Sequence, residues 1–271
     1  MKISLFAAAA ALIVAAQPAA AEETDPPKAL TVSGSVAFVS DYRFRGVSRS
    51  DEEGAIQGGF TVTHESGLYV GAWASNLAGW GAFGGSNTEL DIFGGYKRAV
   101  GGATVDVGLT WYMYPGGAQL TDFAEPYVKV SGALGPVNAL IGVAYAPKQR
   151  ALGNFSNTPF SRGQTDDNLY IWGDANVAIP KTPLTAKAHV GYSNGNPGLG
   201  PNGTSVTPTG EYVDWLFGVD AVVGPLVLGV AYTDTDIGLA ESAYLLPNFS
   251  STKDGGSIAG GQVVFSVSAA F

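Results

Sequence analysis

The chain has 271 residues, 14 lysines and arginines against 23 aspartates and glutamates, a formal net charge of −9 and no cysteine. So acidic a protein is repelled by phosphate backbones, which excludes nucleic acid as the partner of its few arginines. A disulfide-stapled scaffold is excluded as well, and 38 glycines, 12 tyrosines, 13 phenylalanines and only 14% charged residues favour strands and turns over helices.

The N-terminus has the layout of a cleaved secretory signal peptide. Lys2 precedes an alanine-rich apolar stretch from Ile3 to Ala16, and Ala19-Ala20-Ala21 then offers a small-residue cleavage site before Glu22. Residues 1–21 therefore read as signal, 22–29 as a short periplasmic segment and 30–271 as the folded body. Losing the signal removes one base, Lys2, and no acid, so the mature chain carries 13 basic against 23 acidic residues. Beyond residue 21 the longest apolar stretch, Ala221 to Tyr232, is interrupted by Gly224-Pro225 and Gly229. A spanning helix needs about 20 apolar residues. If the protein crosses a membrane, it does so as a closed barrel, the other structure that satisfies every backbone polar group in lipid.

Period-two alternation runs through the body. In the first segment Val32, Val36, Phe38, Tyr42 and Phe44 share one face, and Ser33, Ser35, Asp41, Arg43 and Arg45 the other. This predicts a strand from Leu30 to Arg45, with Tyr42 and Phe44 toward lipid in the outer aromatic girdle and both arginines inward. Next, Ile56, Phe60 and Val62 alternate with Gln57, Thr61 and Thr63, and Leu90, Ile92 and Tyr96 with Glu89, Asp91 and Lys97. Val105, Val107, Leu109, Trp111 and Met113 oppose Asp106, Thr110 and Tyr112. Leu169, Ile171, Ala175, Val177 and Ile179 oppose Asn168, Tyr170, Asp174 and Asn176. Leu184, Ala186, Ala188, Val190 and Tyr192 oppose Thr185, Lys187, His189 and Ser193. Runs near 68–77, 123–132 and 211–223 alternate less cleanly. The count is about twelve strands of roughly nine to eleven residues, the length of a tilted membrane strand.

The connections alternate too. Short turns are expected at Glu65-Ser66-Gly67, Val100-Gly101-Gly102, Leu134-Gly135-Pro136, Pro180 to Pro183 and Gly224-Pro225. Longer polar or glycine-rich stretches fall near 46–55, 77–88, 115–122, 147–167, 194–210 and 234–258. Short turns at one rim and long loops at the other are the plan of an all-β, up-and-down transmembrane barrel. The last run, with Val263, Phe265, Val267, Ala269 and Phe271 on one face, ends the chain on an aromatic residue.

The segments VSDYRFRGVSRSD (39–51) and GLYVGAWASN (67–76), together with the terminal phenylalanine, resemble the TorF family of porins, a proteobacterial outer-membrane family of the Gcw_chp type. The likeness covers essentially the whole mature chain. It implies a barrel in the outer membrane of a Gram-negative bacterium and Phe271 as a signal to the barrel assembly machinery. It implies no catalytic residue.

On this reading the candidate pore-lining residues are Asp41, Arg43, Arg45, Glu89, Asp91, Lys97, Asp106, Lys129, Asp174, Lys187, Asp214 and Asp220. Mixed charges along a lumen orient polar solutes. The expected function is a weakly selective channel for passive diffusion of small hydrophilic solutes or ions. The alternatives are a narrow or closed structural barrel and, third, an outer-membrane lipid hydrolase. Expected partners are outer-membrane lipids, lipopolysaccharide and the assembly machinery, with no cofactor and no metal. Gly79, Gly81 and Gly84 mimic a dinucleotide motif but open no helix. Asp51-Glu52-Glu53, Asp166-Asp167 and Asp234/Asp236 lack calcium-loop spacing and read as solvated loop charge. Only His64 and His189 could serve a hydrolase as base, and Ser193 lies two pleats from His189, about 13 Å.

Overall fold

The computed structural model describes residues 29–153, 164–198 and 206–271. The expected signal segment 1–21, and 22–28 of the segment after it, lie outside the described residues. The strands are β1 (Leu30–Val39), a miniature pair β2 (Arg43–Phe44) and β3 (Val47–Ser48), β4 (Ala55–His64), β5 (Leu68–Asn76), β6 (Thr88–Val100), β7 (Ala103–Met113), β8 (Phe123–Leu134), β9 (Val137–Gln149), β10 (Asp166–Ala178), β11 (Leu184–Gly195), β12 (Glu211–Val223), β13 (Leu226–Thr235) and β14 (Gln262–Ala270). β1 and β4 to β14 form one closed antiparallel barrel of twelve strands, each paired with its sequence neighbours, and β14 returns to β1. Closure removes every sheet edge, so no strand backbone is left to face lipid unpaired.

The alternation read from the sequence sets the two faces. Val32, Ile56 and Ile141 are each more than 60% exposed on the outside, while Ala37, Gln57 and Leu140, of the opposite parity on the same strands, are buried inside. Outward charges on the strands occur only near their ends: Arg98 toward the turn rim, and Lys148, Asp167, Glu211 and Asp234 toward the loop rim. Between them runs an uninterrupted apolar band, as a lipid-facing wall requires, because a charge at the bilayer midplane costs about 2–4 kcal/mol. At the loop rim three outward tyrosines donate to carboxylates: Tyr145 to Asp167 at 2.7 Å, Tyr192 to Glu211 at 2.8 Å and Tyr232 to Asp234 at 2.7 Å. An apolar ring with a hydrogen-bonded tip suits the edge of a bilayer.

All short turns lie at one rim, beside the start of β1 and the end of β14. Gly101, Gly135 and Gly224 take φ of 61°, 62° and 60°, values that tight turns require and that side chains resist. The long connections, here L1 (40–54), L2 (77–87), L3 (114–122), L4 (150–165), L5 (196–210) and L6 (236–261), join strand ends that lie at the other rim.

One expectation fails. β1 stops at Val39, not at Arg45, and the chain then folds inward. Tyr42 and Phe44 do not point to lipid; they are 1% and 2% exposed inside the barrel. The alternation of residues 42–45 belongs to the separate β2–β3 pair, so its parity reports the faces of an inserted hairpin and not those of the wall.

Candidate functional site

L1 plugs the loop half of the lumen. Its hairpin pairs Arg43 with Ser48 and Phe44 with Val47, and its tip is Arg45-Gly46, with φ of 50° and 79°. Two successive positive φ values make the tight turn that matches strand twist. Glycine takes this conformation freely, whereas arginine does so at a cost on the order of 1 kcal/mol.

The contacts of Arg45 explain why an arginine stands there. Its guanidinium donates to both carboxylate oxygens of Glu125 on β8, each at 2.7 Å, and to Asn168 Oδ1 on β10 at 2.8 Å. It also lies over the ring of Tyr170, 4.0 Å from the centroid. Both partners of the ion pair are at most 5% exposed. A forked donor on two parallel acceptors, with water excluded, is the strong form of this interaction. Tyr212 on β12, two strands along the wall from β10, donates to Arg45 O at 3.0 Å.

Arg43 fastens the root of the loop. It donates to Asp41 at 2.6 Å, to the carbonyls of Gly46 and Gly260 at 2.9 and 2.7 Å, and to Glu52 at 3.4 Å. Asp41 also accepts from Ser48 and Ser50 at 2.6 and 3.2 Å. L1 is tied to L6 by Ser48 N donating to Ile258 O at 2.9 Å, and to L2 by Ala78 N donating to Arg49 O at 2.9 Å. Outside the spanning strands, burial pushes the Glu52 carboxyl up from its ordinary range, against the pull of Arg43.

Hydrophobic packing completes the seal. Phe44 joins Tyr42, Trp73, Tyr112, Tyr114 and Phe123 in one buried cluster, and Val47 joins Tyr212, Ile237, Leu245, Phe249 and Ile258 in another. The Phe44–Tyr112 edge contact, 5.8 Å between centroids, adds about 0.5–1.5 kcal/mol beyond burial. The hairpin thus stands as a pillar between two dry cores.

Toward the turn rim the interior is polar and less tightly closed. Lys97 and Lys129 each lie 3.7 Å from Asp106, which also accepts from Tyr69 at 2.5 Å. Lys187 meets Asp220 at 2.6 Å. Both ring nitrogens of His189 face carboxylates, Asp174 at 2.6 Å and Asp214 at 3.1 Å, an arrangement that a doubly protonated imidazole fills. The Lys97, Asp174 and His189 side chains keep 29%, 16% and 16% exposure, so solvent reaches this half. Tyr170 joins the two halves, its ring under Arg45 and its hydroxyl donating to Asp214 Oδ2 at 3.1 Å.

A family model described as "Bacterial protein of unknown function (Gcw_chp)" matches residues 22–271. The chain belongs to the Gcw_chp family. No curated protein sequence matches it. Among solved structures, one from work on in-meso crystallization of membrane proteins is similar with a TM-score of 0.50 at 7% identity, covering 89% of this chain and 83% of that one. A porin refined at 1.8 Å resolution gives 0.41 at 12% identity, covering 89% and 100%. OmpF of Salmonella typhi with daunomycin gives 0.42 at 10% identity, covering 89% and 97%. The likeness is one of fold alone.

In this Gcw_chp protein the structure puts every charged candidate named from the sequence inside the barrel, in three groups. Asp41, Arg43 and Arg45 ride on L1; Glu89 and Asp91 lie against it; Lys97, Asp106, Lys129, Asp174, Lys187, Asp214 and Asp220 occupy the remaining wall. Glu125 and Arg49 were missed. Glu125 shares strand parity with Lys129, which would have found it; Arg49 sits in a loop, where parity says nothing. Ser193 donates to Val206 O at 3.4 Å and shares a hydrogen bond with Thr207 at 2.8 Å, while both nitrogens of His189 are held by aspartates. Ser193 and His189 therefore form no pair among the described contacts. His64 is exposed at the turn rim, 2.8 Å from Ser66 Oγ.

Gly46 tests the seal. A β-carbon there would collide with Thr235 Cγ2 and stand 2.9 Å from Asp214 Cβ, in a backbone conformation that side chains resist. Gly46→Ala is expected to leave strand circular dichroism intact while making L1 cleavable by added protease. Unchanged protection of L1 would show that the tip has room to move.

Proposed function

We propose that the protein is a channel-class barrel of the Gram-negative outer membrane, closed at rest by the L1 hairpin, which passes small hydrophilic solutes or ions when L1 leaves its seat. The observation that carries this reading is the contrast between the halves of the lumen: a charged, solvent-reached chamber at the turn rim, and a dry plug at the loop rim whose centre is a single hairpin. A purely structural barrel has no need of a charged chamber, and a freely open pore has no need of a plug. The TorF-like motifs support the reading, since VSDYRFRGVSRSD (39–51) runs from the last residue of β1 through the whole L1 hairpin. Export with cleavage after Ala21 and recognition of the Phe271 strand by the assembly machinery belong to the same proposal.

Planar-bilayer conductance of the refolded protein is the test. The parent should show long closed periods. Replacing residues 43–48 by a glycine–serine stretch of equal length should give sustained conductance, since the pillar is gone. Its reversal potential under a KCl gradient should fall on the cation side, more so at low salt where screening is weak, because Arg43 and Arg45 are removed and the wall acids stay. A folded barrel that carries no current after this replacement supports the second reading, a closed structural barrel, which the dry packing of the loop half also favours.

A further inference from the structure

Three buried oxygens beneath L1 lack a donor. Gln57 Oε1, Glu89 Oε1 and Asp91 Oδ1 have no hydrogen-bond partner among the described residues, and the three side chains belong to residues only 1–2% exposed. They are neighbours by register: Gln57 on β4 pairs with Ser75 on β5, Ser75 pairs with Glu89 on β6, and Asp91 lies two residues on along the same inward face. Adjacent strands stand about 4.8 Å apart, within reach of converging side chains. Native interiors leave few such groups, and each needs a cause.

Charge narrows the cause. The charged groups acting on Asp91 are Glu89 and Glu125, both acids, and Glu125 is already matched by Arg45. Arg49 of L1 acts on Glu89, which also accepts from Tyr42 at 3.0 Å. One negative charge thus remains in a dry pocket, where an uncompensated ion costs several kcal/mol. Water supplies donors and no charge. A proton shared by the two carboxyls supplies one donor and leaves the Gln57 oxygen orphaned. A cation answers both deficits.

We propose that Gln57, Glu89 and Asp91, with Ser75 Oγ at the centre of the row, bind one hard cation beneath L1, calcium being the best match. Two carboxylates, an amide carbonyl and a hydroxyl are all-oxygen donors of the kind calcium takes in flexible geometry, whereas magnesium holds its waters and suits a dry pocket poorly. The described residues hold no cluster of three or more His, Cys, Asp or Glu side chains suited to a metal, so the neutral oxygens are essential to the set. Bound there, the ion draws the β6 carboxylates together where Tyr42 of L1 docks. Binding is independent of whether the barrel conducts.

The test compares full-length refolded protein, stripped with EGTA, with the same protein in added CaCl2, by calorimetric stoichiometry and by melting of the heat-modifiable barrel. The parent should take up one ion per barrel and melt higher with calcium than with equal magnesium. Asp91→Asn, which keeps volume and removes the lone charge, should bind calcium about tenfold more weakly or worse, and when stripped should melt above the stripped parent. Exterior acids such as Asp167 and Glu211 are common to both proteins and cancel. No calcium shift in the parent, or an equal shift in Asp91→Asn, overturns the site; equal response to magnesium does so too, because it marks screening.

Discussion

Arg45→Gln is expected to undock L1 while the barrel stays folded. The substitution leaves Glu125 buried and facing no cation, and removing one partner of such a pair costs about 3–5 kcal/mol. That cost falls on the docked loop, because the wall strands hold one another through an unbroken ladder that does not involve Arg45. The L1 seal of the variant should therefore break, read as protease cleavage near residue 45 and as frequent openings in a planar bilayer. The control removes both partners. Arg45→Met with Glu125→Leu replaces the ion pair by apolar volume, an exchange that is often neutral or stabilising. The double variant should be nearly as closed as the parent. If the single variant keeps L1 protected, the contacts of the Arg45 carbonyl and the aromatic clusters hold the loop unaided, and the ion pair is no latch.

What the sequence disclosed follows from what period-two alternation can encode. A residue on a barrel strand has two choices, and lipid against lumen separates Ile56 from Gln57 or Val107 from Asp106 without ambiguity. Strand number, turn rim and loop rim follow from glycine-marked turns such as Gly135-Pro136 and Gly224-Pro225. β8 and β12 read less cleanly for local reasons. β8 carries Pro126 on its outer face, just before pairing with β9 begins at Tyr127, and β12 sends Leu216 inward among its acids. The failure at Tyr42 and Phe44 has a different origin. Their apolar neighbours, among them Trp73, Phe123 and Tyr112, come from strands far along the chain, and only the closed barrel brings them to one place. Lipid and a dry lumen look alike to a single aromatic residue. Likewise the missing donors around Gln57, Glu89 and Asp91 are a property of three strands and a loop together, and no one of these segments contains it.

The seam where the chain closes on itself yields the second large effect. Gly34 and Phe271 exchange both backbone hydrogen bonds, at 2.8 and 2.9 Å, and so extend the β1–β14 register that runs from Ser35–Ala270 to Val39–Ser266. This is the most non-local pairing in the barrel, and such contacts form late because loop closure precedes any gain from them. Phe271 lays its ring across Gly34: a β-carbon there would stand 2.6 Å from Cζ, 2.8 Å from Cε2 and 3.1 Å from Gly59 O. Overpacking of this kind costs about 1–3 kcal/mol, here charged to the last step of closure. Gly34→Val is therefore expected to slow formation of the heat-modifiable band in refolding assays and to lower its yield in the outer membrane. Phe271→Ala separates two reasons for the defect. If the slot alone matters, Gly34→Val with Phe271→Ala refolds in vitro better than Gly34→Val, since the collision has gone. If the ring is also read by the assembly machinery, the same double variant refolds well in detergent and still fails in cells. A Gly34→Val protein that closes at the parental rate in both settings would mean that the ring of Phe271 has another place to lie.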